Sequence, residues 1–455
     1  MFNLAQLGHK VGARYIGQPV PIHGVSIDSR TLKKGEIFVA IRGQRDGHKF
    51  INNAIEKGAA AVIVERDMKC KIPQLIVKNT HTALLELARV WREQFQLPVV
   101  AITGSYGKTT TKNMTAAILS EMGPTLASPG NYNNQYGVPI SLLQLTSAHR
   151  YAVFELGTDH SGEIELLTNL VQPTVSLVTR VGDVHIEGFG SRDAVAKEKG
   201  MIYQGLQKQG IAVINHDEPY AVQWESAIDQ RHRVSFALEN EADITAEHYH
   251  SGPDGASFDL ITPIGRQAIA VPLLGDFVLP NALAAAAIGL AVGATLEQVA
   301  LGLSKVKPYE GRFVPHRLKN GAMVIDDTYN ANHVAANQAI EYLHKLKGKR
   351  IFVMSNITEL GELSEQYHRE LGECASKYPI DHFFVTGDES LLQPTLDACD
   401  YARYFQDKSE LVEALKPLIT KDTTIIIKGA RVNKMEEILQ AVLNEVGEIR
   451  QHDMA

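Results

Sequence analysis

The residues 104–110, GSYGKTT, put two glycines, a lysine and two threonines where a short turn meets a helix. Gly104 and Gly107 permit a turn tight enough to aim backbone N–H groups, those of Ser105 and Tyr106 included, at phosphate oxygens. The N-terminus of the helix that follows adds partial positive charge. Lys108 would neutralise the β- and γ-phosphates, and Thr109, followed by Thr110, has the hydroxyl to ligate Mg²⁺. Only Ser105 and Tyr106 separate the glycines, whereas the usual P-loop has four residues there, so this is a shortened variant. A bare Gly-Lys-Thr turn is common by chance; its place between a strand and a helix selects nucleotide binding. A triphosphate needs a metal with hard ligands, and two candidates follow the next strands. Glu155 ends YAVFEL and His185 stands in VGDVHIEGFG. The competing readings are a carboxylate that caps a loop and a structural histidine. Lys199, in AVAKEKGMIY, is ambiguous, since a helical lysine is most often solvated.

The elements that would position these groups are legible as hydrophobic periodicity. Residues 82–95 read as a helix, 98–103 as an apolar strand running into the glycine turn, and the next helix ends near 121. Apolar runs at 151–156, 174–179 and 211–215, separated by helix-length sequence, predict a parallel sheet with helices on both faces. Before this region, the first 80 or so residues alternate as a separate small α/β unit. Between 231 and 272 the runs RVSFAL, ASFDLIT and QAIAVP, with turns between them, predict an antiparallel appendage on the central region. From AMVIDD onward the alternation resumes through RIFVMS, a helix at 364–377, HFFVTG and TTIIIKGA. The expected fold is therefore α/β in three domains: 1–81, a P-loop parallel-sheet domain at 82–311 with its β-rich appendage, and a Rossmann-like domain at 312–455.

Composition agrees with several ordinary globular domains, since 455 residues exceed what one core usually serves. Lys plus Arg is 45 against 52 Asp plus Glu, a net −7, which disfavours nucleic acid as a partner. Cys70, Cys374 and Cys399 are odd in number and widely spaced, so neither a disulfide framework nor a zinc knuckle is indicated. The apolar stretch 282–294 falls short of the roughly 20 residues that span a bilayer and reads as a buried helix. The N-terminus lacks the pattern of a secretory signal. A cytoplasmic, monomeric protein without stable membrane insertion is expected.

The residues also carry a resemblance. GSYGKTTTK, NYNNQYGVP (131–139), FELGTDHSGEI (154–164), VHIEGFGS (184–191), NALAAAA (281–287), GRF (311–313), DDTYNAN (326–332), ELGELS (359–364) and KGARVNKME (428–436) resemble, in that order, the Mur ligases. The resemblance covers nearly the whole chain. It implies one domain for a UDP-sugar, a central ATPase, and a C-terminal domain that brings an amine and closes on ATP. It further implies Glu155, His185 and a carbamylated Lys199 as Mg²⁺ ligands, Lys108 in catalysis, Asn281 at adenine, and Arg312 with Asp327 at ATP. Ser29, Arg30, Asp46, Gly47 and His48 match segments that meet the UDP end of the acid substrate. Asn133, Asn134 and His160 fall in motifs matching the substrate region, and Asn330 and Asn332 near the amine. The two TYNAN asparagines are equally suited to capping the helix near His333.

The activity implied is an ATP-dependent, ADP-forming amide ligase that adds D-alanyl-D-alanine to UDP-N-acetylmuramoyl-tripeptide for peptidoglycan synthesis. A carboxylate must first be activated, here as an acyl phosphate. Several positions depart from the family pattern: Asp159, Arg180, Met201, Phe277 with Val278, Ser355 with Asn356, and His333. Two other readings stand beside this one, a relative joining a different acid and amine and a non-catalytic nucleotide-sugar-binding paralogue. The GFG at 188–190 lacks the third glycine of a dinucleotide fingerprint, and HYH at 248–250 reads as solvated.

Overall fold

The computed structural model describes residues 2–3, 8, 12–184, 186–228 and 232–449. Among the described residues, four sheets have three or more strands. The first has the order Arg14–Ile16, Gln74–Ile76, Ala61–Val64, Glu36–Val39, Gly24–Ser26, parallel except for its first strand. The central sheet has six strands, all parallel, in the order Arg233–Phe236, Ile211–Asn215, Val175–Val178, Val99–Thr103, Tyr151–Glu155, Thr125–Ala127. Every residue of Val99–Thr103 and Tyr151–Glu155 is buried. This is why those strands read as continuous apolar runs and not as alternation. Asn79 caps the helix Thr80–Arg92 by accepting from the Thr82 N–H at 2.8 Å, so that helix starts slightly ahead of the expected 82.

The third sheet is an antiparallel meander of Thr245–Gly252, Gly255–Thr262 and Gly265–Val271. Here the sequence reading needs correction. The run RVSFAL was expected in this appendage, but Arg233–Phe236 pairs parallel with Ile211–Asn215 and closes the edge of the central sheet. A short apolar run carries no record of its partner. The strand that takes its place, Thr245–Gly252, has no fully buried residue, so it lacked an apolar signature. The C-terminal sheet runs Val314–Arg317, Met323–Asp327, Thr423–Lys428, Lys349–Ser355, His382–Thr386, Ala402–Phe405, with only its first pair antiparallel.

By its internal contacts the chain forms two compact units. The first comprises Met1–Val181, Ala196–Ala242 and Ala284–Val299; the second comprises Gly182–Val195, Asp243–Leu283 and Ala300–Ala455. The appendage thus groups with the C-terminal sheet and not with the central one. Of the stretch 282–294 expected as a buried helix, 282–292 lie in the helix Val278–Val292, with Ala282 to Ala287 at most 2 % exposed, and the helix stops before Gly293. No helix among the described residues is long and apolar enough to cross a membrane.

Candidate active site

The glycine turn is built as the sequence predicts, and its geometry explains the glycines. Gly104 has φ +148°, and a Cβ there would lie 1.9 Å from the Thr179 hydroxyl oxygen. Gly107, at φ 80°, is the N-cap of the helix Lys108–Ser120 and has no side chain with which to bond that helix's first N–H groups. The turn is anchored to the neighbouring strand end. The Ser105 N–H donates to the Arg180 carbonyl at 2.6 Å and the Thr179 hydroxyl to the Tyr106 carbonyl at 2.5 Å. Lys108 folds back on the loop, its Nζ 2.7 Å from the Gly104 carbonyl.

Directly behind Lys108, the Thr109 hydroxyl donates to one oxygen of Glu155 at 2.8 Å, and the Asn133 amide donates to the other at 2.8 Å. Glu155 is 2 % exposed, and its side-chain partners among the described residues are these neutral groups. A buried carboxylate held only by neutral dipoles beside a hydroxyl is a hard-oxygen pair suited to a divalent cation, so the residues fit Mg²⁺. Asn133 was expected at the substrate; the structure places it on Glu155. Lys112, which the sequence reading passed over, fixes the loop that brings Asn133, donating to the Ser128 and Gly130 carbonyls at 2.8 and 3.2 Å.

Lys199 is buried at 2 % exposure. Burial lowers its amine to a pKa of about 7, helped by the charge of Lys108 and opposed by Glu198 and Asp159. The solvated reading of this lysine is therefore wrong. Glu198 beside it, another residue the sequence reading missed, accepts the N–H groups of Gly162 and Ile164 at 2.8 Å each. His185 lies outside the described residues. Asn134 spends its side-chain oxygen on the Tyr136 and Gly137 N–H groups, and His160 is exposed.

In the second unit, Asp327 is paired with Lys428 at 2.7 Å, the lysine being 1 % exposed. Lys428 was not singled out, although a lysine closing the apolar strand TTIIIK was a visible signal. The Arg312 guanidinium lies over the Tyr329 ring, 4.5 Å from its centre. Gly311, at φ +70°, lets the chain pass Tyr329, whose Cβ a side chain would meet at 2.9 Å. The Asn281 amide donates to the Phe277 carbonyl at 2.8 Å, and Phe277 meets Phe313 edge-on. Of the two capping candidates, Asn332 is the cap: its side chain accepts from the Ala335 N–H at 2.8 Å. Asn330 turns its oxygen to the Ala331 N–H.

The N-terminal candidates form a tight internal network. Asp46 accepts from the His48 N–H at 3.0 Å and from His48 Nδ1 at 2.6 Å, which holds its carboxyl down to about 2. The other His48 ring nitrogen accepts from the Glu65 N–H at 2.9 Å, so both ring nitrogens have partners inside the protein. A Cβ on Gly47 would lie 2.7 Å from the Ile41 carbonyl oxygen. Ser29 is buried, while Arg30 is exposed and paired with Asp28 at 2.7 Å. His248 of the HYH run is exposed and pairs with Asp259 at 2.9 Å.

A glycine turn leading from a parallel strand into a helix, with a hydroxyl and a buried carboxylate behind it, defines a P-loop nucleotide-binding protein of the α/β class. Family models narrow this: the Mur ligase family catalytic domain matches residues 21–92, the Mur ligase middle domain 102–289, and the Mur ligase glutamate ligase domain 311–431. The chain belongs to the Mur ligase family. It is 41 % identical to the UDP-N-acetylmuramoyl-tripeptide--D-alanyl-D-alanine ligase of Escherichia coli, covering 96 % of this chain and 98 % of that one. Its fold matches a crystal structure of MurF from Acinetobacter baumannii with a TM-score of 0.90 and 34 % identity, over 97 % of this chain and 99 % of that one. It also matches MurF ligase from Thermotoga maritima in complex with ADP, with a TM-score of 0.82 and 27 % identity, over 93 % and 98 %.

Proposed function

We propose that this chain joins D-alanyl-D-alanine to UDP-N-acetylmuramoyl-tripeptide, converting ATP to ADP and phosphate, as a cytoplasmic monomer. The observation that carries this reading is the buried Thr109–Glu155–Asn133 cluster behind the glycine turn, in a chain similar end to end to ligases named for that reaction. The γ-phosphoryl passes to the tripeptide's terminal carboxylate, giving an acyl phosphate and ADP. The amine nitrogen then attacks the acyl carbon, and collapse of the tetrahedral adduct expels phosphate and forms the amide. Lys108 and the N–H groups at the start of the helix Lys108–Ser120 bind the phosphates and offset the charge spread over the transferring group; the Ser105 N–H, expected to share this role, donates to the Arg180 carbonyl instead. Thr109 and Glu155, with residue 185 and a carbamylated Lys199, would hold a Mg²⁺ that supplies further charge stabilisation when bound.

The environment of Lys199 supports the carbamate. An amine whose pKa is about 7 is largely neutral just above that pH, so its nitrogen adds to CO₂ and loses a proton, turning a buried cation into an anion. Arg312, Asp327 and Asn281 would serve ATP. Ser29, Arg30, Asp46, Gly47 and His48 would shape the UDP end, the last three through the network they form with one another.

The test is ADP release over a matrix of UDP-muramoyl-peptides and amino acids or dipeptides. Release that requires both the tripeptide and D-alanyl-D-alanine supports the reading. Release with other amines and not with this one overturns it in favour of a relative with another amine. Tight ATP binding without turnover under any pair points to a non-catalytic paralogue.

A further inference from the structure

The turn that follows the strand Val175–Val178 is tied to residues far along the chain. Asp183 accepts from the Tyr367 hydroxyl at 2.7 Å and from Nε of Arg192 at 2.9 Å, with a second Arg192 contact on the oxygen that Tyr367 uses. Its side chain is 13 % exposed and is paired with Arg192. Burial raises the Tyr367 phenol, so the hydroxyl keeps its proton to donate. The Tyr367 ring lies flat on the imidazole of His333, 3.7 Å between centres and 4° between planes. His333 is 7 % exposed, and its Nδ1 has no hydrogen-bond partner among the described residues. His333 is also one of the positions that depart from the family pattern.

Three stretches thus meet at one stack: the segment Gly182–Val195, the start of the helix His333–Lys345, and the helix Ser364–Lys377. The consequence is visible in the grouping of the chain. Gly182–Val195 falls in the second unit, while Val181 before it and Ala196 after it fall in the first. The helix Arg192–Gln204 begins inside this segment and carries Lys199 beyond it.

We propose that Tyr367 is a positioning residue for the ligase reaction, its bond to Asp183, backed by His333, setting the geometry of the segment that leads to residue 185 and Lys199. The proposal rests on the functional reading above. A hydroxyl donating to an ionised carboxylate is among the stronger single hydrogen bonds in a protein, and it joins residues 184 positions apart. Tyr367→Phe removes that one O–H and keeps the ring for the stack, while Asp183→Asn removes the charge at constant size.

The experiment compares the full chain with Tyr367→Phe, Asp183→Asn and the double variant by two readouts, amide hydrogen exchange and ADP release. In each single variant, exchange across 182–195 should quicken about tenfold with the strand Val99–Thr103 unchanged. Their kcat should fall about tenfold, with the KM for D-alanyl-D-alanine within about twofold. The double variant should be no worse than Asp183→Asn alone, since that variant weakens the Tyr367 bond and the Arg192 contact together and Tyr367→Phe removes only the first. Unchanged exchange, unchanged kcat, or additive losses in the double variant would each overturn the proposal. Absence of D-alanyl-D-alanine-dependent ADP release from the unaltered chain would overturn the functional reading alone, and the exchange comparison would still decide whether the bond holds the segment.

Discussion

Lys199 in the first unit and Lys428 in the second are buried almost equally, at 2 % and 1 % exposure, yet they are solved differently. Lys428 has Asp327 at 2.7 Å and the Asn330 carbonyl at 3.2 Å. Lys199 has no ion pair among the described residues, sits in the field of Lys108, and is pushed down to about 7. Glu155 stands with Lys199 in this respect, a buried carboxylate among neutral donors. A buried ionisable group without a direct ion-pair partner is costly, and a fold that keeps two of them, Lys199 and Glu155, points to a ligand's charges. A buried pair such as Lys428 and Asp327 can instead hold structure, whatever else it contacts.

The contrast is sharpest under substitution. Lys108→Ala should lower the rate of ADP release about a thousandfold with the fold intact, because it deletes a charge aimed at the transferring phosphoryl and little packing. Near-normal turnover would displace ATP from this loop. Lys199→Ala should also abolish turnover without loss of melting temperature, and short carboxylic acids should restore part of the rate by replacing the carbamate. Unaffected activity would remove Lys199 from the site. Lys428→Met should do the opposite, costing about 3–5 kcal/mol of stability by stranding the Asp327 carboxylate. Urea unfolding of the C-terminal unit measures it, and a cost below about 1 kcal/mol would mean Asp327 is solvated and the comparison with Lys199 fails.

The same contrast explains what the sequence made legible. The glycine turn, Thr109 and Glu155 could be read because their chemistry is local, a turn and a strand end next to β-branched runs that are buried throughout. The pairing of Arg233–Phe236 and the strand Thr245–Gly252 could not, since partner choice lies in packing rather than in the run itself. Distance in sequence hid more. Lys428 meets Asp327 across 101 positions, and Asn133 reaches Glu155 across 22. In the DGH segment the residues could be named from the sequence but their mutual bonds could not: Asp46 accepts twice from His48, and Gly47 passes close to the Ile41 carbonyl.

The smallest effect expected bears on the second unit alone. His368 is fully buried; its Nε2 accepts the Ile357 N–H at 3.1 Å and its Nδ1 donates to the Ser364 carbonyl at 2.7 Å. The Nε2 bond requires the neutral ring, whereas the Nδ1 bond survives protonation; burial is the larger effect and lowers the pKa below 6.5. The unfolded chain therefore takes up a proton near 6.5 that the folded chain refuses until lower pH. Stability from this residue is fully present above about 6.5 and declines as the pH falls toward the folded pKa, by at most about 1.4 kcal/mol per pH unit. His333, also lowered by burial, adds a decline of the same sign. His368→Asn should cost stability at pH 7.5 but flatten the loss between pH 7 and 5.5, read as the melting temperature of the second unit. An equal slope in both proteins would show that His368 keeps an ordinary pKa, and the acid sensitivity would then belong to other groups. The Lys199 region supplies the control: its lowered amine favours the neutral form at high pH, so its contribution to stability changes between about 7 and 10.5, outside the His368 window.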